Sequence, residues 1–171
     1  MCSYCEEMLK VLPDPKNVWK YMLAVTQIPR GSNKGDEMFR HLKIRNFLKE
    51  QAEKLGCETY VDKGENLIVR KAATPGYEDK PVICFQGHMD MVPEKDAGST
   101  HNFLTDGLTL SVEDGWIRAD RTTLGGDDGV AVAMMLALLD GAPAPHPALE
   151  CLFTVSEETG MRGHLTPTRQ D

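Results

Sequence analysis

Three short stretches of the chain combine imidazole or carboxylate side chains with glycine: Gly87-His88-Met89-Asp90, Leu124-Gly125-Gly126-Asp127-Asp128-Gly129 and Ser156-Glu157-Glu158-Thr159-Gly160. Each lies at an end of an apolar run. One imidazole and several carboxylates at the rims of a sheet are the raw material of a metal site for hydrolysis, and so many carboxylates suit a pair of metals. His88 and Asp90 are two apart, so in an extended segment they face the same side. A metal-binding histidine uses one ring nitrogen while a carboxylate commonly holds the other N–H, which is the task open to Asp90. Taken alone, the pair is also explained by a buried histidine hydrogen-bonded at a strand end. Asp127 and Asp128 open an apolar helical run, where acids favour the helix N-terminus without any ion. A carboxylate can also bridge two cations with its two oxygens, as an imidazole cannot. Glu157 and Glu158 follow an apolar strand, and adjacent side chains diverge there. One can bind metal while the other holds or deprotonates a water; a solvated loop pair would look the same. In combination the three stretches supply ligands for Zn²⁺ or Mn²⁺ and spare acids beside them. No serine elbow, phosphate loop or dinucleotide fingerprint competes, and the Gly125–Gly129 stretch places acids where an anion would sit.

The elements that must position these residues follow from periodicity. Val82–Phe85 and Leu149–Val155 are continuous apolar runs, predicted as strands buried on both faces, and they deliver into the His88 and Glu157 stretches. Val130–Leu139 is apolar nearly all round, which predicts a buried helix. Asp14-Pro15 reads as an N-cap with proline at the first helical position, opening a helix that ends before Pro29. A second helix is predicted from about Asp36 to Leu55, with Phe39, Leu42, Leu48, Ala52 and Leu55 on its apolar face, His41 beside that face and Gly56 as its stop. Cys57–Val61 and Leu67–Arg70 predict one hairpin, Leu108–Val112 and Trp116–Ala119 another. Helices alternating with apolar strands predict an α/β fold, a three-layer sandwich with a mixed, mostly parallel sheet, in which sites form beyond the carboxyl ends of the strands.

At 171 residues the chain has the length of one domain with a core. Its net charge of −7 opposes a nucleic-acid surface, which needs a basic patch. No apolar run approaches the roughly 18 residues of a membrane span, and Met1–Pro13 does not read as a secretory signal. The 5 cysteines, an odd number, read as reduced thiols of a cytoplasmic protein. Cys2 and Cys5 form a Cys-x-x-Cys with no second pair to complete a zinc site, so they read as frayed terminal thiols.

The chain also resembles a known family, the co-catalytic metallopeptidases that include aminoacyl-histidine and cytosol non-specific dipeptidases, carnosinases, tripeptidases and aminoacylases. The likeness runs through Ile28-Pro29-Arg30-Gly31-Ser32, Pro75-Gly76-Tyr77-Glu78-Asp79, Gln86 to Val92, Ala119-Asp120, Thr122 to Gly125, and Leu152 to Val155 with Glu157 to Met161. The resemblance implies a zinc-peptidase-like catalytic domain and hydrolysis of dipeptides, with N-acyl amino acid deacylation as an alternative within the family. It implies two divalent cations, zinc first and manganese or cobalt as alternatives. His88 and Glu158 would each hold one, Asp127 would bridge them, Asp90 would orient His88 and Glu157 would be the general base. It also admits a cis peptide between Asp127 and Asp128. The chain departs from the family at Gly126, Asp128 and Arg121, where alanine, asparagine and glycine are usual. Residues 164–171, His164 among them, no longer resemble it. The resemblance implies that 1–171 is the N-terminal part of the catalytic domain. It also implies that further ligands, a lid and dimerisation domain and the carboxylate-binding residues lie outside it, so that a homodimer belongs only to the longer enzyme. A non-catalytic, metal-binding product is the other expectation for such a chain.

Overall fold

A computed structural model describes residues 3–32, 37–142 and 144–161, the side chains of 3 and 37–41 excepted. In chain order the elements are α1 (Ser3–Val11), α2 (Lys16–Thr26), α3 (Glu37–Lys54), β1 (Glu58–Val61), β2 (Leu67–Lys71), β3 (Ile83–His88), β4 (Leu110–Glu113), β5 (Trp116–Ala119), α4 (Gly126–Gly141) and β6 (Leu149–Thr154). The side chains of Phe39 and His41, and the 164–171 tail, lie outside what is described.

One sheet has the order β1-β2-β6-β3, and β4 and β5 form a separate two-stranded ribbon. The mixed sheet agrees with expectation; its being mostly parallel does not. Among the described residues of this sheet, β1 with β2 and β2 with β6 are antiparallel, and β3 with β6 is parallel. The hairpin makes β1 and β2 antiparallel by construction, whereas the path from β3 to β6 passes through α4, a crossover long enough to return the chain in the same direction.

Leu67, Val69, Cys151 and Phe153 point to the inner face and are buried in one cluster with Ile44, Leu48 and Ala52 of α3, Val25 of α2, and Val132 and Leu136 of α4. The expected second helical layer is not among the described residues. On the outer face Cys84 and Gln86 are exposed and Ile68 and Leu152 half-buried. β3 is therefore not buried on both faces, and its start, Val82 and Ile83, is exposed. The apolar run at this strand reflects β propensity as much as burial.

Three local expectations also change. Pro15, extended at φ −84° and ψ 120°, takes the cap position of α2 in place of Asp14. Cys5, read as a frayed terminal thiol together with Cys2, which lies outside the described residues, belongs to α1 and is buried with Met8, Leu12, Leu23, Leu108 and Leu110. α4, whose range includes Asp127 and Asp128 in non-helical conformations ahead of its apolar run, is not buried all round: Val130 and Met134 are exposed. Gly56, at φ +76°, stops α3 as expected, in a left-handed conformation that glycine adopts without penalty.

The inner face carries the stability. Phe153→Ala is expected to cost about 3–5 kcal/mol, whereas Met134→Ala on the exposed stripe of α4 stays within about 0.5 kcal/mol. Urea unfolding of the two variants checks the contrast.

Candidate metal centre

β3 and β6 are parallel neighbours with His88 opposite Thr154, so the His88 and Glu157 stretches leave the sheet at the same rim. The start of α4 lies against that rim at Gly87. A Cβ there would stand 2.7 Å from Asp128 Oδ2, so any side chain at this position would displace the Asp128 carboxylate. Asp128 Oδ2 in turn accepts the His88 amide at 3.2 Å. The Asp127–Asp128 peptide is cis.

Asp90, with no exposed surface, collects the third stretch. Its carboxylate accepts the Glu157 amide at 3.1 Å and the Glu158 amide at 3.2 Å, and the Ser32 hydroxyl as well. Ser156 stands at φ +55°, a left-handed turn that directs those two amides back toward Asp90. The buried Asn66 accepts the Val155 amide through Oδ1 at 3.1 Å and fixes the end of β6 just ahead of this turn.

The imidazole of His88 is 7% exposed. Its Nδ1 lies 3.1 Å from the Asp90 carbonyl and 3.5 Å from Asp90 Oδ1. Its Nε2 lies 2.9 Å from Asp127 Oδ1 and 3.8 Å from Glu157 Oε2. Burial pushes the His88 pKa down, but hydrogen bonding to Asp90 and Asp127 and the charges of Asp90 and Asp128 more than reverse this and raise it to about 9. With acceptors at both nitrogens the imidazolium is the form that satisfies this geometry. Burial, with the neighbouring carboxylates of Asp127, Glu157 and Asp90, holds Glu158 above the usual carboxylate range against the pull of His88. Burial likewise raises Asp128.

His88, Glu157 and Glu158 each offer a ligand atom, and these atoms lie within 4.8 Å of one another. One imidazole nitrogen and two carboxylate oxygens at that spacing fit a single divalent cation of the zinc or manganese type. Asp127 reaches the same ring nitrogen from an exposed position, outside that group of three. The other four residues singled out from the sequence, Asp90, Asp127, Glu157 and Glu158, thus stand around the imidazole of His88.

Sequence reasoning passed over Arg30, Ser32 and Asn66 as site-building residues. Arg30 is 2% exposed beneath the rim. Its guanidinium donates to the carbonyls of Met89 and Asp90 at 3.2 Å each and of Gly125 at 2.5 Å. Pro29 to Gly35 has the composition of a surface loop, and nothing in that composition marks a buried cation.

No family model matches the chain. It is 31% identical over 157 residues to the cytosol non-specific dipeptidase of Escherichia coli (strain K12), covering 92% of this chain and 31% of that protein. The structure resembles that of the aminoacylhistidine dipeptidase of Vibrio alginolyticus with a TM-score of 0.83 and 31% identity, over 93% of this chain and 31% of the other. It also resembles the aminopeptidase PepT of Bacillus cereus, with a TM-score of 0.68 and 25% identity, over 90% of this chain and 39% of that one. The chain therefore spans about a third of the length of these relatives. It is a homologue of the aminoacylhistidine and cytosol non-specific dipeptidases.

A pKa raised in the fold makes a group's stabilising contribution complete below its unfolded pKa and lost as pH rises through its folded pKa. For His88 that window runs from 6.5 to about 9. In EDTA-treated protein the melting temperature is expected to fall across this window, and His88→Gln to flatten the fall. Thermal unfolding at several pH values within it tests this.

Proposed function

We propose that this homologue forms part of the active site of a metal-dependent dipeptidase. In this reading 1–171 is the N-terminal part of its catalytic domain, folded like a zinc peptidase and working in the cytoplasm. The observation that carries it is the convergence of one imidazole and two glutamates from separate motifs at one sheet rim, with a third motif's aspartate 2.9 Å from the ring.

His88, Asp127 and Glu158 would hold two divalent cations, zinc first and manganese or cobalt as alternatives, with Asp127 between them. Cations bound there supply Lewis acidity, polarising the scissile carbonyl and lowering the pKa of a water to about 7. Asp90 orients the His88 ring through the Nδ1 side and leaves Nε2 facing the cluster. Glu157 takes the proton of the attacking water and returns it to the leaving amine. Asp128 adds a carboxylate against the His88 amide, where asparagine is usual in the family. The substrate is a dipeptide. Side chains that recognise its termini, and any homodimer, belong to the longer enzyme.

A second reading, a chain that binds a cation without catalysing, is favoured by Glu157. It stands within the group of three ligand atoms rather than apart from it as a base. Two protein ligands per cation are also fewer than the three usual at catalytic zinc.

Calorimetric titration with Zn²⁺ and Mn²⁺ separates these readings when paired with hydrolysis of Ala-His and Gly-Gly. Weak cation binding that His88→Gln and Glu158→Gln each abolish, with little or no hydrolysis by the isolated chain, is the expected result. Hydrolysis that Glu157→Gln removes would make the chain a complete catalyst. Absence of binding by the wild type would end the metallopeptidase reading.

A further inference from the structure

We propose that Arg30 is a positioning residue for the cation site: its buried guanidinium clips the Met89–Asp90 turn to Gly125 and so sets His88 against Asp127. The inference rests on the reading that the His88 cluster holds a cation.

The contacts join two of the three motifs from below. Met89 and Asp90 directly follow His88, and Gly125 stands two residues before Asp127. One planar fork reaches carbonyls on both. The backbone around Arg30 ties down the same turn. Met91 donates its amide to the Arg30 carbonyl at 3.1 Å and Ser32 donates to the Met91 carbonyl at 2.8 Å. Gly31 forms a parallel bridge with Met91.

Two of the three glycines of the second motif border this contact, Gly125 being crowded by Met91 and held at φ +63° as well. A Cβ at Gly125 would lie 2.5 Å from Arg30 Nη2, and one at Gly129 would lie 2.6 Å from it. The Arg30 guanidinium occupies the space that side chains at these two positions would fill. Burial pushes the Arg30 pKa down to about 10, while Asp90 and Asp128 hold it up, so the cation persists at neutral pH. A planar guanidinium holds its donors in a fixed fork and so sets the two segments in one geometry, whereas a lysine ammonium has rotatable donors on a flexible stem.

Two variants test the clip. Arg30→Lys keeps the charge and loses the fork. Gly129→Ala keeps Arg30 and displaces its guanidinium, the mobile end of a side chain, and it decides the matter if the lysine variant does not fold. Amide spectra of the EDTA-treated proteins are recorded alongside Co²⁺ titrations followed by visible absorption, below each variant's melting temperature. The expected result is displaced amide signals at Asp90, Gly126, Glu157 and Glu158, and Co²⁺ binding weakened about tenfold or more with an altered spectrum. Unchanged Co²⁺ affinity in folded variants, or amide changes confined to the neighbours of the substituted residue, would overturn the proposal. Should the wild type bind no Co²⁺, the metallopeptidase reading fails while the amide signals still decide the role of Arg30.

Discussion

A carboxylate with no access to water must be satisfied by protein donors, because an unpaired buried charge costs several kcal/mol. Asp90 is in this position. Its hydrogen bonds come from Ser32 between α2 and α3 and from the amides of Glu157 and Glu158 after β6, while the His88 ring lies alongside. These groups are far apart in sequence. Satisfying one carboxylate therefore brings the α2–α3 loop, the end of β3 and the end of β6 into a single arrangement, and the cluster above inherits its geometry from that requirement.

The charges around this hub are unequal in number. Asp90, Asp127, Asp128, Glu157 and Glu158 surround His88, with Arg30 beneath them. His88 is displaced upward by these carboxylates against the effect of its burial, whereas Asp128 and Glu158 are displaced upward first by burial, to which neighbouring carboxylates add. A divalent cation would answer the same excess of negative charge, and on the proposed reading it would compete with protons through His88, whose ligand form is the neutral ring. Arg30 is the part of the compensation built into the chain. It is fixed by carbonyls rather than by direct ion pairs, which leaves the carboxylates above it available to ligands.

The sheet supports this arrangement from one side. Leu67, Val69, Cys151 and Phe153 anchor it to α3 and α4, and the close contact at Gly87 brings Asp127 and Asp128 to the rim. The second apolar cluster, built from α1, Leu23 and the β4–β5 ribbon, stands apart from that sheet core and includes Met91 of the turn that follows Asp90. The site thus lies where two packed clusters meet, and its backbone is held from both.

Much of this was legible in the residues themselves. The two hairpins, the strands leading into His88 and Glu157 and the stop at Gly56 follow from local patterns of hydrophobicity and turn chemistry, which act over a few residues. The residues that the structure brings together, His88, Asp127, Glu157 and Glu158, are legible as candidates for the same reason, since each motif sits at the end of an apolar run. Strand order, the covering of one sheet face only, the helix at the N-terminus and the burial of Arg30 were not legible. They depend on which surfaces meet, and a loop composition such as Pro-Arg-Gly-Ser is the same whether its arginine faces water or three carbonyls. The sequence by itself determined which chemistry is available. Only the tertiary structure decided which atoms share it, because the convergence of His88, Asp127, Glu157 and Glu158 is imposed by long-range contacts through Asp90, Arg30 and Gly87 that no local pattern encodes.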